Sequence, residues 1–90
     1  IETKSTFKQN GTTLTGTLSF QNSGFVFTPD SGGEAITFPM NTILLVFVSY
    51  EMESEGEVLT LLTATEQIDF TVEDGYANDL SKYILISEAA

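Results

Sequence analysis

The chain of 90 residues contains no cysteine, histidine, arginine or tryptophan, and it has only three lysines. Without cysteine it can form neither a disulfide framework nor a thiolate metal site. Without histidine it lacks the most common general base and metal ligand. A nucleophilic hydroxyl needs a base that takes its proton, and neither His nor Cys is present to form such a pair. We therefore expect no enzymatic activity, no metal site and no cofactor.

Positive charge is scarce. Thirteen acidic residues against three lysines give a net charge of -10 at pH 7. Nucleic acids and anionic lipid headgroups are both bound through clustered Lys or Arg, so neither is an expected partner. Long apolar stretches are also lacking, because the longest, ILLVFVSY at residues 43–50, is far shorter than the roughly 20 residues of a membrane-spanning helix. We expect no transmembrane segment.

The length of the chain suits one domain, residues 1–90, in which a single core is shared by all the strands. Its hydrophobic fraction of 41% is sufficient for a packed interior. Residue 1 is isoleucine and not an initiator methionine, so we expect the chain to be trimmed from a longer one. Its localisation stays open.

Apolar and polar residues alternate along most of the chain, which is typical of half-buried strands. The clearest case has Leu14, Gly16, Leu18 and Phe20 on one face and Thr13, Thr15, Thr17 and Ser19 on the other. Asn10-Gly11 predicts a tight hairpin turn between this strand and the one before it. Pro39 ends the fourth strand, because it has no N–H to donate. Seven strands are predicted in all: STFKQ, TLTGTLSF, FVFT, AITF, ILLVFVSY, VLTLLTAT and QIDFTV.

After the seventh strand the period changes to that of a helix. Tyr76, Leu80, Tyr83 and Ile84 fall on one side of a helix, with Ser87 as a further member and Asp74 as the N-cap. Consecutive short strands build an antiparallel meander, and a terminal helix covers its open end. The sequence therefore predicts a mainly β domain, a seven-stranded antiparallel sandwich or open barrel capped by one C-terminal α-helix.

Five segments follow one another along the chain in a recognisable order: GTLSF at 16–20, GFVF at 24–27, ITFPMNTI at 36–43, LTLLT at 59–63 and IDFTV at 68–72. In this succession the chain resembles the pleckstrin-homology-like superfamily, and within it the GRAM-type and bacterial PH-type domains. The resemblance implies a membrane adaptor or a protein-binding module. Lipid-binding members usually have several basic residues on the first strands, where this chain has Lys4 and Lys8 alone. We therefore do not expect phosphoinositide binding.

A run of alternating glutamates, Glu51, Glu53, Glu55 and Glu57, follows the fifth strand. Clustered carboxylates can hold Ca²⁺ or Mg²⁺, but the Asp-x-Asp-x-Asp-Gly order of a calcium loop is absent. We interpret the run as a solvated hairpin tip, which also discourages edge-to-edge aggregation. An acidic tip of this kind could also meet a basic protein partner.

The fifth strand is apolar on both faces. Leu44, Val46, Val48 and Tyr50 share one face, and Ile43, Leu45, Phe47 and Ser49 share the other. Only one face can point into a single core, so the other must be covered by the same chain, by a second copy or by a partner. The resemblance implies that Ile43, Leu44 and Val46 are buried through a local bulge. Leu45 and Phe47 would then point outward, with Leu62 beside them.

Two functional hypotheses follow. The first is a non-catalytic protein-interaction or assembly module, which binds a protein partner or a second copy. Its binding residues would be Leu45, Phe47 and Leu62 on the strand face, and Glu51, Glu53 and Glu55 in the acidic run. The alternative is a module that binds a lipid or another small apolar ligand. In both cases loops or the helix of the same chain could instead cover the apolar face.

Overall fold

The computed structural model describes residues 1–51 and 56–88, which form a curled, mixed β-sheet of half-barrel shape with a single short α-helix. The elements are β1 (Glu2–Gln9), β2 (Thr12–Gln21), β3 (Gly24–Pro29), β4 (Ile36–Pro39), β5 (Ile43–Glu51), β6 (Gly56–Thr63), β7 (Gln67–Val72), α1 (Tyr76–Leu80) and β8 (Ser87–Glu88). A short 3₁₀ turn, Met40–Thr42, joins β4 to β5.

The eight strands lie in the order β4-β3-β2-β1-β7-β6-β5-β8. Neighbours are antiparallel except for β5 and β8, which are parallel. The seven predicted strands are present and pair antiparallel, but an eighth strand parallel to β5 makes the sheet mixed, so the prediction of a purely antiparallel, seven-stranded fold is wrong. The eighth strand has only two residues, and it pairs with β5 through Ser87 opposite Phe47. Two residues are too few to show a period of two, so the sequence pattern predicts the end of the helix here.

Phenylalanine dominates the core on the concave face of the sheet. Phe27 and Phe70, 5.9 Å apart between ring centroids, come from strands on either side of β1. Phe7 of β1 lies 5.5 Å from Phe27, and Phe38 of β4 lies 5.6 Å from Phe70 in an edge-on arrangement. Such tilted pairs stabilise the core beyond the area that they bury. All four of these phenylalanines are buried.

Two local predictions are confirmed. Asn10 and Gly11 both have positive φ, 49° and 80°, as a tight hairpin turn of this type requires, and they join β1 to an antiparallel β2. Pro39 is the last residue of β4. Both predictions depend on the backbone properties of only one or two residues, so they could be made without knowledge of the rest of the fold.

The helix is much shorter than predicted. It covers five residues, and its N-cap is Gly75, at φ 89°, without a side-chain cap, so the assignment of Asp74 as the N-cap is wrong. Tyr76 and Leu80 are buried as expected, whereas Tyr83 is exposed. Beyond Leu80 the chain turns and becomes extended, because residues 84–86 lead into a ladder with the edge of β5. The pairing with β8 gives backbone partners to part of the open edge of β5, which a continued helix would not do.

Candidate interaction surface

Strand β5 begins with a bulge. Ile43 pairs with Thr63 and Leu45 pairs with the adjacent Leu62, so Leu44 is the extra residue. The bulge confirms one prediction, and Ile43 packs against the core while Val46 is buried within it. Leu44 was predicted to be buried as well, but it is 69% exposed. The extra residue of a bulge is left out of the pairing, and here its side chain reaches the surface.

Beyond the bulge, β5 alternates between the core and the outer face of the sheet. Val46 and Val48 are buried in the core, so Leu45 and Phe47 lie on the opposite face. Leu45 is directly opposite Leu62, and Phe47 is opposite Thr60. Val58, two positions before Thr60, continues this face. We call Leu45, Phe47, Val58 and Leu62 the outer patch.

The placement of Leu45, Phe47 and Leu62 agrees with their predicted outward orientation. None of the three belongs to the core or to the partly buried residues that pack against it. Val58 was not among the predicted residues. The two-residue period of β6 could have identified it, because Leu59 and Leu61 are fully buried and Val58 lies on the opposite face of the strand.

A polar border limits the outer patch on the side of β7. Thr60, between Phe47 and β7, is only 3% exposed, and its hydroxyl donates a 2.8 Å hydrogen bond to the carboxylate of Asp69. The side-chain amide of Gln67 also donates to Asp69, at 3.4 Å. The apolar side chains of the patch therefore lie beside a fixed, negatively charged group.

An apolar groove of about 200 Å³ adjoins the outer patch at the beginning of β5. Its lining residues come from the 3₁₀ turn, from β5 and from the segment before β8: Met40, Ile43, Leu44, Leu45, Val46, Ile84 and Leu85. We call it the edge groove. Leu85 is 87% exposed and Leu45 is 39% exposed. Leu45 belongs to both the patch and the groove, so the two form one apolar surface.

The chain's own elements cover only part of this surface. Strand β8 lies beside Phe47, which is half-buried. At the groove, the side chains of Leu44 and Leu85 remain largely exposed. Among residues 1–51 and 56–88, neither a loop nor the helix covers the apolar surface at this end of β5.

The acidic run was interpreted as a solvated tip, and Glu57 contradicts this. Its side chain is 5% exposed, and its two carboxylate oxygens accept hydrogen bonds from the N–H groups of Gly75 and Ala77, at 3.1 and 3.4 Å. The first N–H groups of a helix have no partner within it, which explains why a carboxylate is buried here. Glu53 and Glu55 lie outside the described residues, and of Glu51 only the backbone, at the end of β5, is described.

Other cavities are more polar. A groove of about 620 Å³ lies between β4 and the β6–β7 turn, and most of its lining residues are polar, with Phe38 and Leu44 among the exceptions. A second groove, of about 400 Å³, runs along β1 and includes Lys4 and Glu73. The Glu73 carboxylate already accepts a 3.0 Å hydrogen bond from the N–H of Lys4. Neither groove gathers groups for an obvious chemical step.

Within residues 1–51 and 56–88, no group of three or more Asp, Glu, His or Cys residues is arranged to hold a metal ion. The described part of the chain also has no helix with the length and apolar character of a membrane span. No known protein-family model matches the chain, and no curated protein matches it.

Proposed function

We propose that this chain is a non-catalytic protein-interaction module that binds its partner through the outer patch and the edge groove. The observation that carries the proposal is the exposure of Leu44, Leu45 and Leu85 around one apolar groove. Single exposed leucines are ordinary, but apolar side chains that are contiguous and line a concavity are typical of binding sites.

The pleckstrin-homology-like fold is part of this proposal. It is supported by the order of the elements, in which seven strands precede a helix and Pro39 and the 3₁₀ turn separate β4 from β5. Strands β6 and β7 then lead directly into α1. The two-residue β8 is an addition to that succession.

Binding energy at such a surface comes mainly from burying apolar side chains. Complete burial of an exposed leucine contributes roughly 1.5–3 kcal/mol. Leu85, Leu44 and Leu45 together could thus supply much of the energy of a moderate interaction, and central anchors of this kind usually dominate an interface.

The alternative function, binding of a small apolar ligand, has less support. Small-molecule sites usually have volumes of about 300–1,000 Å³ and are lined predominantly by apolar side chains. The edge groove is apolar but only about 200 Å³ in volume, and seven of the twelve residues that line the larger groove beside β4 are polar. A macromolecular partner uses both the groove and the adjoining outer patch.

The proposal can be tested by panning a displayed library of short random peptides on the immobilised chain. Peptides selected on the wild type should bind Leu45→Ser and Leu85→Ser about tenfold more weakly, which corresponds to roughly 1.4 kcal/mol. Thr15→Ser, on the outer face of β2, is the matched control and should retain full affinity. Cooperative unfolding of each variant shows that its fold is intact.

Leu85→Ser is the more decisive of the two variants, because a side chain that is 87% exposed contributes little to the stability of the fold. Selected peptides that bind all three variants as tightly as the wild type would show that the apolar surface is not the binding site. The same conclusion would follow if no peptide were enriched.

A further inference from the structure

We infer that residues 84–88, which we call the strap, complete the edge groove by docking on β5, so that partner binding and strap docking are coupled. The inference rests on the proposed function and goes further, because it states how the same site is controlled. Three observations carry it: the strap forms one wall of the groove, it is weakly held, and Ile86, which helps to hold it, lies outside the groove.

The strap is part of the edge groove itself. Of the seven residues that line the groove, Ile84 and Leu85 belong to the strap, and the other five belong to the 3₁₀ turn and β5. If the strap left β5, the groove would lose this wall, and Leu85 would leave with it. The groove therefore exists only while the strap is docked.

Few contacts hold the strap in place. None of its five residues is buried. Its ladder with β5 consists of two pairs, Ser87 with Phe47 and Glu88 with Val48, and Ile84 and Ile86 are only partly buried against the core. Segments with few buried apolar contacts open locally at a small cost in free energy. We therefore expect the strap to detach without unfolding of the sheet.

A second cavity shows a further weakness of the docked strap. Ile86 and Glu88 line this cavity, of about 140 Å³, and so does the buried carboxylate of Glu57. The hydrogen bonds that Glu57 accepts from Gly75 and Ala77 hold its carboxylate in place. Like charges repel, so the negative charge of Glu57 opposes the docking of Glu88.

Ile86 separates the docking of the strap from contact with the partner. Its side chain lines the second cavity and not the edge groove, whereas the adjacent Leu85 lines the groove. A substitution at Ile86 therefore affects a partner in the groove through the position of the strap. Ile86 is thus a positioning residue for the binding site.

The coupling follows from these positions. A partner that contacts Leu85 in the groove binds the docked state better than the detached state, so it favours docking, and docking strengthens its binding by the same factor. The apparent affinity is proportional to the docked fraction of the chain. A variant in which about one tenth of the molecules are docked should therefore bind about tenfold more weakly than a fully docked chain.

The peptides selected on the wild type from the random library are the probe for this coupling. Ile86→Ser removes an apolar contact that docks the strap, and it should weaken their binding about tenfold. Ile36→Ser is the matched control, because Ile36 is also partly buried against the core but lies in β4, at the opposite end of the strand order. It should lose a similar amount of stability and keep full peptide affinity. Ile86→Ala, a milder truncation, should act in the same direction if Ile86→Ser does not fold.

A disulfide that holds the strap on β5 should rescue the binding. Val48 and Glu88 are cross-strand partners, and the chain has no cysteine of its own. Neighbouring strands lie about 4.7–4.9 Å apart, a separation that a disulfide can bridge. When Val48→Cys and Glu88→Cys are added to Ile86→Ser, the oxidised protein should bind within about twofold of the wild type. Reduction of the same protein should weaken its binding again.

Hydrogen exchange measures docking directly. The amides of residues 84–88 should exchange faster in Ile86→Ser than in the wild type, because the strap spends more time detached. Bound peptide should slow their exchange, because coupling acts in both directions. A peptide that left this exchange unchanged or made it faster would overturn the inference.

The results separate this inference from the proposed function. Peptides that lose affinity for Leu85→Ser but bind Ile86→Ser as tightly as the wild type would retain the proposed function and overturn the inference. Equal losses of affinity in Ile36→Ser and Ile86→Ser would also overturn it, because general stability would then be the cause. Weaker binding by the oxidised disulfide variant than by its reduced form would overturn it as well, because the partner would need the strap to leave. Peptides that bind Leu85→Ser normally would overturn both.

Discussion

One carboxylate oxygen of Glu57 accepts a 3.1 Å hydrogen bond from the N–H of Gly75, and so strand β6 is tied to the beginning of α1. The other oxygen accepts from the N–H of Ala77 at 3.4 Å. A buried donor that loses its partner costs about 1–3 kcal/mol. We expect Glu57→Ala to lower the free energy of unfolding by an amount in this range, measured by denaturant titration.

Two further variants make this prediction specific. Glu57→Gln keeps one acceptor oxygen and should lose less stability than Glu57→Ala. Exposed Glu34, changed to Ala, should stay within about 0.5 kcal/mol of the wild type. If Glu57→Ala and Glu34→Ala were equally stable, the hydrogen bonds to α1 would contribute nothing.

Glycine at position 16 is required by close contact with the neighbouring strand. A Cβ atom at Gly16 would lie 2.2 Å from the carbonyl oxygen of Thr28 and 2.9 Å from the ring of Phe27. The carbonyl belongs to the β3 backbone and cannot move independently. We expect Gly16→Ala to destabilise the fold by about 1–3 kcal/mol or more.

The matched control for this variant is Gly33→Ala, whose Cβ would meet nothing closer than the Pro29 ring at 4.0 Å. It should be as stable as the wild type or slightly more stable, because alanine reduces the conformational freedom of the unfolded chain. Similar melting temperatures for the two variants would mean that β2 and β3 can separate at little cost.

Alkaline pH should destabilise the fold through Tyr76. Burial raises the pKa of its phenol to about 12 from 10.0, while a hydrogen bond to the Phe20 backbone opposes the shift and the charge of Glu2 adds to it. The native state therefore holds this proton when the unfolded state has already released it. The resulting stability is complete below pH 10 and is lost as the pH rises towards 12.

The comparison with Tyr76→Phe tests this dependence. The variant has no phenol to titrate, so its free energy of unfolding should fall less steeply between pH 10 and 12. Its stability at neutral pH should be somewhat lower, because the Tyr76 hydroxyl donates a 3.0 Å hydrogen bond to the carbonyl of Ile1. Parallel pH profiles for the two proteins would show that other groups cause the alkaline loss.

Short stretches of sequence were sufficient to predict much of the sheet. The alternation around Leu18, the turn at Asn10-Gly11 and the stop at Pro39 each depend on neighbouring residues, and all three agree with the structure. The two apolar faces of β5 also predicted an apolar surface on the outside of the sheet. Which of the two faces points outward was implied only by the resemblance, and Leu45, Phe47 and Leu62 take that orientation because, beyond the bulge, the two-residue period continues unbroken.

The remaining features depend on contacts between distant parts of the chain. Leu44 is exposed because β6 fixes where the bulge falls, and nothing in β5 itself indicates this. Glu57 is buried because its partners, Gly75 and Ala77, lie at the beginning of a helix 18 and 20 residues further on. The sequence pattern predicts Leu85 within a helix, and only the pairing of β8 with β5 places it at the groove.

Lysine substitutions at two adjacent positions of β5 should separate the outer patch from the core. Phe47 is half-buried on the outer face, and Val48 is 4% exposed on the inner face. Phe47→Lys can extend its ammonium into water, so we expect cooperative unfolding with a modest loss of stability and a loss of peptide binding. Val48→Lys would place a long charged side chain on the core face of the sheet, and we expect it not to fold. Circular dichroism during heating and sedimentation of each variant provide the measurements. If Phe47→Lys failed to fold as Val48→Lys does, Phe47 would belong to the core, and the outer patch could not be a binding surface.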